Sequence, residues 1–340
     1  MTAAVRSCAV PAAGALPSHS GASRWWLCAA AALALAGCGS PEQQARAERE
    51  AERAVHAIQD FQRDQQIWRE QRHRELLKPD GWTSLVGLHP IEPGAHYFGS
   101  DADNGIRVGV GPGHIGLLNL DKGRLRFVPE RGLALTLNEQ PLKGAAVLLA
   151  DDSPAGPTRI GFDEGKGVLT AIKRGGRWYL RVRHADAPSR VGFSAIEYWP
   201  ATQDWKLSAK FVAHPAGQTI EVANIIGVIE PTPNPGAVEF ERDGRSFRLE
   251  ALDQGGEELM LVFADRTSGH GSYSAGRFLD VPRPNPQGKV TVDFNKAYNP
   301  PCAFTPFATC PLPPQGNRLD LEVTAGEKAY KPAGAAAHAS

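Results

Sequence analysis

The chain after Trp82 consists of short runs of alternating apolar and polar residues, separated by turn residues. Alternation with a period of two places successive side chains on opposite faces of a strand. Clear examples are residues 106–110, 125–128, 178–183 and 247–252. Gly175-Gly176 and Asp243-Gly244 stand between such runs and predict tight hairpin turns. Roughly fifteen runs of this kind, without a second helical pattern, predict a mainly β protein.

Composition agrees with this fold class. The chain has 36 glycines and 27 prolines, while 42% of its residues are hydrophobic, a mixture that favours many strands joined by turns. We predict two packed β-sandwich or barrel-like lobes, at residues 81–155 and 156–332, and a disordered tail at 333–340. The formal net charge is zero, so the chain has no basic excess that would bind nucleic acid.

One long N-terminal helix is predicted ahead of the two lobes, at residues 41–78. This segment is rich in Ala, Glu, Gln and Arg, and after Pro41 it contains neither proline nor glycine. Its apolar residues at near-helical spacing are Val55, Ile58, Phe61, Trp68 and Leu76. We expect the first half to be a solvated stalk and the second half to dock on the folded body. The alternative is a coiled coil that binds a partner. Pro79 and Gly81 end the helix.

An apolar run precedes this helix and has the length of a signal-peptide core. Residues 25–37 are apolar, and Arg6 and Arg24 stand before them without any acidic residue. The run is too short to span a bilayer comfortably. It ends in Leu35-Ala36-Gly37-Cys38, and small residues before a cysteine are what the lipoprotein signal peptidase accepts.

The chain is therefore expected to be an exported lipoprotein. Residues 1–37 would be the signal peptide, Cys38 would carry the lipid, including palmitate-type acyl chains, and residues 38–80 would be the lipidated stalk and helix. Two or three acyl chains suffice for stable anchoring in a membrane. Because residue 39 is Gly rather than Asp, we expect the outer membrane, with the protein facing the periplasm.

The first lobe carries Gly99-Ser100-Asp101, Asn104 and Ile106, followed by residues 137–142, which read Leu-Asn-Glu-Gln-Pro-Leu. This order resembles the forkhead-associated domain, a small β-sandwich that binds phosphothreonine. The resemblance implies a sandwich at 81–155. However, Ser100 stands where that family has its phosphate-binding arginine, so a charge-assisted donor is missing. Phosphopeptide binding is therefore the least favoured of three functional hypotheses.

The second lobe contains several polar, proline and cysteine positions in a specific order. They lie in the segments 273–280, 292–306, 309–314, 317–319 and 325–328. This block resembles the bacterial domain-of-unknown-function family 1684, and matches at 81–88 and 196–200 extend the likeness from about residue 60 to residue 330. The resemblance implies no activity, cofactor or ligand.

Cys302 and Cys310 lie in the loop of this block that begins Asn299-Pro300-Pro301 and is made rigid by proline. Long irregular loops of this kind usually carry a site or a lid. In an oxidising envelope the pair predicts a disulfide that closes the loop. A metal site and a redox-active pair are the alternatives, although metal ligands at suitable spacing and the compact redox spacing are both absent.

Polar residues of the same block are the candidates for a binding pocket. They are Arg277, Asp293, Asn295, Tyr298, Asn299, Asn317 and Arg318. On a strand, Asp293 and Asn295 would share one face, and with the arginines they would suit an anion or a sugar. The alternative is structural, since Asn and Asp cap turns and buried Arg–Asp pairs hold irregular loops together.

The sequence leaves two main functional hypotheses. The first is a lipid-anchored binding or structural module of the envelope, whose site lies near the Asn-Pro-Pro-Cys loop and whose ligand is a small molecule, a glycan or an envelope protein. The second is a hydrolase or transferase that uses Asp293, Tyr298 and Arg277. No nucleophile-elbow motif occurs, and neither a metal nor a cofactor is predicted.

Overall fold

The computed structural model describes residues 40–332. The predicted signal peptide, the predicted lipidation site Cys38 and the predicted tail at 333–340 lie outside these residues. The chain divides after Phe61 into two units. The described part of the first unit is the beginning of one helix, and the second unit contains the rest of that helix together with both β lobes.

Helix α1 spans Pro41–Leu76 and has 36 residues. It begins with a reciprocal cap, in which the Gln43 amide donates to Ser40 Oγ and the Ser40 amide donates to Gln43 Oε1. It ends just before Pro79, and Gly81 follows where an added Cβ would lie 2.7 Å from the Glu75 carbonyl oxygen. The sequence therefore predicts the helix and its end correctly.

The apolar stripe of α1 is only partly buried. Leu76 is fully buried, whereas Ile58 is 40% exposed. Gln65, which interrupts the stripe in the sequence, is itself buried, and its Nε2 donates to Asp293 Oδ2 at 2.8 Å. The sequence pattern shows that a polar residue interrupts the stripe, but it does not show the partner of the buried hydrogen bond that this residue makes.

Eleven strands form the first lobe. They are β1 (Leu85–Pro90), β2 (Gly94–Gly99), β3 (Ile106–Arg107), β4 (Gly116–Asp121), β5 (Arg124–Pro129), β6 (Thr136–Leu137), β7 (Gln140–Pro141), β8 (Ala146–Leu148), β9 (Arg159–Phe162), β10 (Gly167–Arg174) and β11 (Arg177–His184). One sheet has the order β1-β11-β10-β9-β6-β7 and the other has the order β3-β2-β4-β5-β8. Both contribute to one apolar core that contains Phe98, Phe127, Ile160 and Leu180, as expected for a sandwich.

The sheet pairing of this lobe extends beyond residue 155, where the sequence predicts the lobe to end. Strands β9, β10 and β11 follow that position, yet β11 pairs with β1 and β9 pairs with β6. The reason is long-range pairing: β1 needs a hydrogen-bonded neighbour, and β11 provides it from almost a hundred residues away. The Gly175-Gly176 turn between β10 and β11 forms as predicted, with Arg174 opposite Arg177.

The second lobe begins after the short helix α2 (Pro188–Val191). Its strands are β12 (Lys206–Ala213), β13 (Thr219–Ala223), β14 (Ile229–Pro233), β15 (Gly236–Arg242), β16 (Arg245–Leu252), β17 (Glu258–Phe263), β18 (Arg277–Pro282) and β19 (Lys289–Asp293). Six of them form a sheet with the order β18-β17-β16-β15-β12-β19, and β13 and β14 form a separate hairpin. The six-stranded sheet curls into a nearly closed barrel.

Alternation along the strands fills this barrel. In β16, Phe247, Leu249 and Ala251 are buried while Arg248 is exposed. Phe294 lies at the centre of the core, with its ring edge-to-face against Trp205, Phe240 and Phe263. The mainly β class and the single long N-terminal helix are therefore confirmed.

Short 3₁₀ helices connect several elements. They are Trp82–Ser84, Asp163–Gly165, Gln203–Trp205, Phe294–Lys296, Pro301–Ala303 and Gln315–Asn317. Within residues 40–332, no helix is both long enough and apolar enough to cross a membrane.

Candidate functional site: a cleft with walls of opposite charge

A cleft of about 700 Å³ opens in the second unit, where four parts of the chain meet. Helix α1 contributes Trp68 and Arg72, and the first lobe contributes Trp82, Arg174 and Arg181. The barrel contributes Glu258, Met260, Phe278, Asp280 and Tyr298, and the proline-rich loop contributes Pro301, Ala308, Thr309, Cys310 and Pro311. A second depression of about 610 Å³ shares Glu258, Asp280 and Tyr298 with it.

The first-lobe wall of the cleft is cationic because of the alternation in β11. Leu180 and Val182 point into the sandwich core, so Arg181 and Arg183 occupy the opposite face. Arg181 donates from Nη2 to Thr309 Oγ1 at 3.1 Å. Burial, together with Arg183 and Arg174 nearby, lowers the pKa of Arg181 to about 10, and its guanidinium therefore remains charged at neutral pH.

Arg174 adds a second guanidinium to this wall, but its charge is compensated. Its Nη1 lies 2.8 Å from Asp151 Oδ2. Arg174 stands at the end of β10, next to the Gly175-Gly176 turn, and this position brings it to the rim of the cleft.

The barrel wall of the cleft carries two carboxylates, and the Lys296 ammonium on the same wall is paired with Asp64 at 2.9 Å. Tyr298 donates its hydroxyl proton to Asp280 Oδ2 at 2.9 Å, and Glu258 stands on the neighbouring strand β17, opposite Pro282 of β18. Asp280 still presents surface to solvent, yet the surrounding walls remove enough water to raise its pKa, against the hydrogen bond from Tyr298. Burial and the nearby Asp280 raise the pKa of Glu258 as well. A hydroxyl or ammonium donor of a ligand would stabilise both carboxylates.

Arg72 connects the helix to this wall. Its Nε lies 2.9 Å from Glu327 Oε1, and its Nη2 donates to the Asn299 carbonyl at 2.8 Å. The guanidinium carbon also lies 4.6 Å from the centroid of the Tyr298 ring, which is a cation–π distance. The Arg72 side chain thus connects helix α1 to Glu327, to the Tyr298 ring and to the start of the proline-rich loop.

The two loop cysteines are neighbours. The Cys302 amide donates to Cys310 Sγ at 3.1 Å, and Tyr273 donates its hydroxyl proton to the Cys302 carbonyl at 3.1 Å. A hydrogen bond from the Cys310 thiol lowers the pKa of Cys302, and the same hydrogen bond, together with burial, raises the pKa of Cys310. Both are free thiols in the structure. The predicted disulfide stays a prediction. In exchange with an oxidised partner disulfide, the more readily formed thiolate of Cys302 would attack first, and Cys310 would then displace the partner as a thiol.

Arg277, the first of the predicted pocket residues, lies inside the protein rather than in the cleft. It is completely buried, and its Nη2 lies 3.2 Å from Asp265 Oδ1 and donates to the Val323 carbonyl at 2.9 Å. Its Nη1 donates to the Ala325 carbonyl. The guanidinium therefore fastens the irregular C-terminal segment to the barrel.

Asp293 and Asn295 are also engaged with the protein itself. Asp293 Oδ1 accepts from the Asn295 amide and side chain, at 3.1 and 2.8 Å. Asn295 in turn donates from Nδ2 to the Thr202 carbonyl at 2.8 Å. The two residues do share a local structure, as predicted, but it is a cap of the 3₁₀ turn Phe294–Lys296.

The remaining predicted residues divide between buried and exposed positions. Asn299 is buried and donates to the Lys328 carbonyl, and Asn317 is buried and donates to the carbonyls of Glu250 and Val262. Arg318 is exposed. Of the seven predicted pocket residues, the cleft contains only Tyr298 within the described part of the chain.

The cleft residues that the sequence does not predict share a simple signal. Arg174, Arg181 and Asp280 are charged residues on strands whose alternating partners are buried apolar residues. Alternation thus predicts that they face away from a core. It does not predict that a second lobe covers that face, and this covering is what turns a surface into a cleft.

At the tips of β2 and β4, Asp101 and Asp103 lie 3.7 and 3.6 Å from the ring of His114. Acidic side chains repel phosphate, so phosphopeptide binding gains no support here. Among residues 40–332 this is the one group of His, Cys, Asp and Glu whose ligand atoms lie within 4.8 Å of one another. All three are exposed, and exposed acidic groups are common without a metal.

Comparison with known proteins identifies the second lobe. Residues 191–328 match the model of the family described as "Protein of unknown function (DUF1684)". No curated protein matches the chain. A solved solution structure, the uncharacterized protein from gene locus rrnAC0354 of Haloarcula marismortui, is 30% identical, with 41% of this chain and 78% of that chain covered and a TM-score of 0.35. Through residues 191–328, the chain belongs to the DUF1684 family.

Proposed function

We propose that the protein is a lipid-anchored binding module of the cell envelope, and that its ligand occupies the cleft beside the Asn-Pro-Pro-Cys loop. The observation that carries the proposal is the cleft itself, which is large enough for a small organic molecule. Its side chains of opposite charge and its aromatic residues converge from four separate parts of the chain. Such convergence favours a ligand that is a small molecule or a glycan unit.

The arrangement favours binding over catalysis. Of the three residues considered for a hydrolase or transferase, Arg277 and Asp293 are buried and paired with protein groups. Tyr298 donates to Asp280, and burial and Asp280 raise its pKa, so it is a poor general base. A catalytic group must reach the reacting atoms, and the trio does not converge on the cleft.

The anchor is the second part of the proposal, and Leu35-Ala36-Gly37-Cys38 supports it. In a bacterial host fed with a fatty-acid analogue, the full chain should become labelled, and Cys38→Ala should abolish the label. Cys302→Ala is the matched control and should retain it. Label that persists in Cys38→Ala would contradict the anchor. The proposed location of the protein is the outer membrane, where it would face the periplasm.

The cleft is tested by blocking it. Gln254 lines the cleft and is exposed, so Gln254→Trp inserts an indole without removing buried packing. The probes are N-acetylglucosamine, N-acetylmuramic acid and D-alanyl-D-alanine, which represent envelope chemistry. We expect saturable binding of at least one probe by saturation-transfer NMR, and a loss of roughly tenfold or more in affinity in Gln254→Trp because the site is filled.

Gln287→Trp is the control for this experiment. Gln287 is also exposed, but it lies outside the cleft, so the variant should bind like the unmodified protein. The proposal fails if none of the three probes binds saturably, or if binding is equally strong in Gln254→Trp. Urea unfolding of both variants shows whether the fold is retained.

A further inference from the structure

Arg181 has an unusual environment for a charged residue. Only 8% of its surface is exposed, yet it lines the cleft. The one protein group that its side chain contacts by a hydrogen bond within residues 40–332 is the neutral hydroxyl of Thr309. Its Nε is buried without a hydrogen-bond partner. A buried donor without a partner is costly in a folded protein. Four other arginines among the described residues share this feature, and what distinguishes Arg181 is that its side chain also lines the cleft.

Within residues 40–332 the charge of Arg181 has no direct ion-pair partner, and the ring of Trp82, at 5.8 Å, and the more distant Asp151 compensate part of it. Among the described residues, no carboxylate oxygen lies within 4.0 Å of its guanidinium, whereas Arg174 on the same wall has Asp151 at 2.8 Å. Arg183, the next residue on the same face of β11, adds a positive charge nearby but does not line the cleft. Burying Arg181 beside other arginines without a direct anionic partner of its own is unfavourable. A bound anion would remove this cost.

We propose that Arg181 forms the anion subsite of the cleft and binds a carboxylate or phosphate group of the ligand. A guanidinium offers donors in a planar fork that matches two oxygens of such a group, which a point charge cannot do. The pKa of Arg181, about 10, keeps the fork charged at neutral pH. This inference deepens the proposed function, since it names the chemistry of the ligand in the same cleft.

The opposite wall limits the rest of the ligand. Asp280 and Glu258 are acceptors when ionised, so a second anionic group there would be repelled. Hydroxyl or ammonium donors suit that end, and the indole rings of Trp68 and Trp82 suit an apolar middle part. The ligand class is therefore a small molecule with an oxyanion at one end and hydrogen-bond donors at the other.

The test uses 15N-labelled protein titrated with inorganic phosphate and, in a separate arm, with acetate, at an ionic strength held constant with sodium chloride. The Nε–H cross-peak of Arg181 is assigned by its absence in Arg181→Gln. We expect this peak to shift saturably with one or both anions. The affinity measured from backbone amides near Thr309 should fall roughly 10- to 100-fold in Arg181→Gln, as for the loss of a charged hydrogen bond. The two arms distinguish a phosphate-bearing from a carboxylate-bearing ligand.

Two further variants keep the outcome decisive. Arg183→Gln removes a guanidinium that lies on the same strand face but outside the cleft. We expect the anion affinity of this variant to change by no more than about threefold, because long-range attraction is screened. Arg181→Lys keeps the positive charge but loses the planar fork, so its anion affinity should lie between those of Arg183→Gln and Arg181→Gln. The test therefore remains decisive even if Arg181→Gln does not fold. The inference is overturned if phosphate and acetate shift the Arg181 Nε–H cross-peak no more than sodium chloride does. It is also overturned if Arg181→Gln binds both anions with unchanged affinity. If a neutral sugar bound to the unmodified protein and not to Gln254→Trp, the proposed function would still be supported without the anion subsite.

Discussion

Arg277→Met should lower the free energy of unfolding by about 3–5 kcal/mol, the cost of breaking a buried ion pair by removing one partner. The side chains of Arg277 and Asp265 are both fully buried. Without the guanidinium, Asp265 keeps a buried charge, and the carbonyls of Val323 and Ala325 lose their donors. Urea denaturation followed by circular dichroism, with linear extrapolation to water, measures the change.

Arg266→Met is the matched control for this substitution. Arg266 is exposed and pairs with the exposed Asp320, and such surface pairs contribute about 0–1 kcal/mol. If Arg277→Met cost no more than Arg266→Met, then Arg277 would not hold the C-terminal segment against the barrel.

The second large effect is expected for Arg72→Met, which should cost about 2–4 kcal/mol, somewhat less than a fully buried pair because Arg72 retains slight exposure. Its partner Glu327 is fully buried and would keep only the Asn299 amide, at 2.7 Å, as a donor. The loss should also loosen the helical wall of the cleft, because the contacts of Arg72 with the Asn299 carbonyl and the Tyr298 ring disappear with it.

Two measurements separate these consequences. Urea unfolding gives the global loss, and amide hydrogen exchange over residues 62–76 reports whether the helix opens locally. Arg74→Met is the control, since Arg74 lies two positions away on the exposed side of the same helix and should change either quantity by less than about 0.5 kcal/mol. Exchange that remains as slow as in the unmodified protein would show that Arg72 does not hold the helix.

Much of the fold follows from local patterns. The Gly175-Gly176 and Asp243-Gly244 turns join the strands that the sequence predicts, since adjacent residues with positive φ fit a two-residue hairpin. The pairing of β1 with β11 is different in kind, because it joins segments almost a hundred residues apart. Alternation indicates which face of a strand is buried but not which strand lies beside it.

The site was harder to predict for a related reason. The polar residues of the proline-rich block predict a site because they are close in the sequence. However, Arg277 and Asn317 donate to irregular backbone inside the protein. Arg181 and Asp280 come from strands in different lobes and line the same cleft only after folding. Tyr298 belongs to both descriptions, because it lies in the block and its hydroxyl reaches the cleft.

The backbone of Tyr298 also affects how the edge of the second-lobe sheet can pair with another molecule. Strand β18 is the outermost strand of its sheet, and an open strand edge invites pairing with another molecule. Tyr298 occupies that edge by exchanging two hydrogen bonds with Phe278, at 2.8 and 2.9 Å. The prolines that follow cannot donate to a newcomer. The segment that helps to shape the cleft therefore also covers part of the strand edge that a second molecule would need for pairing.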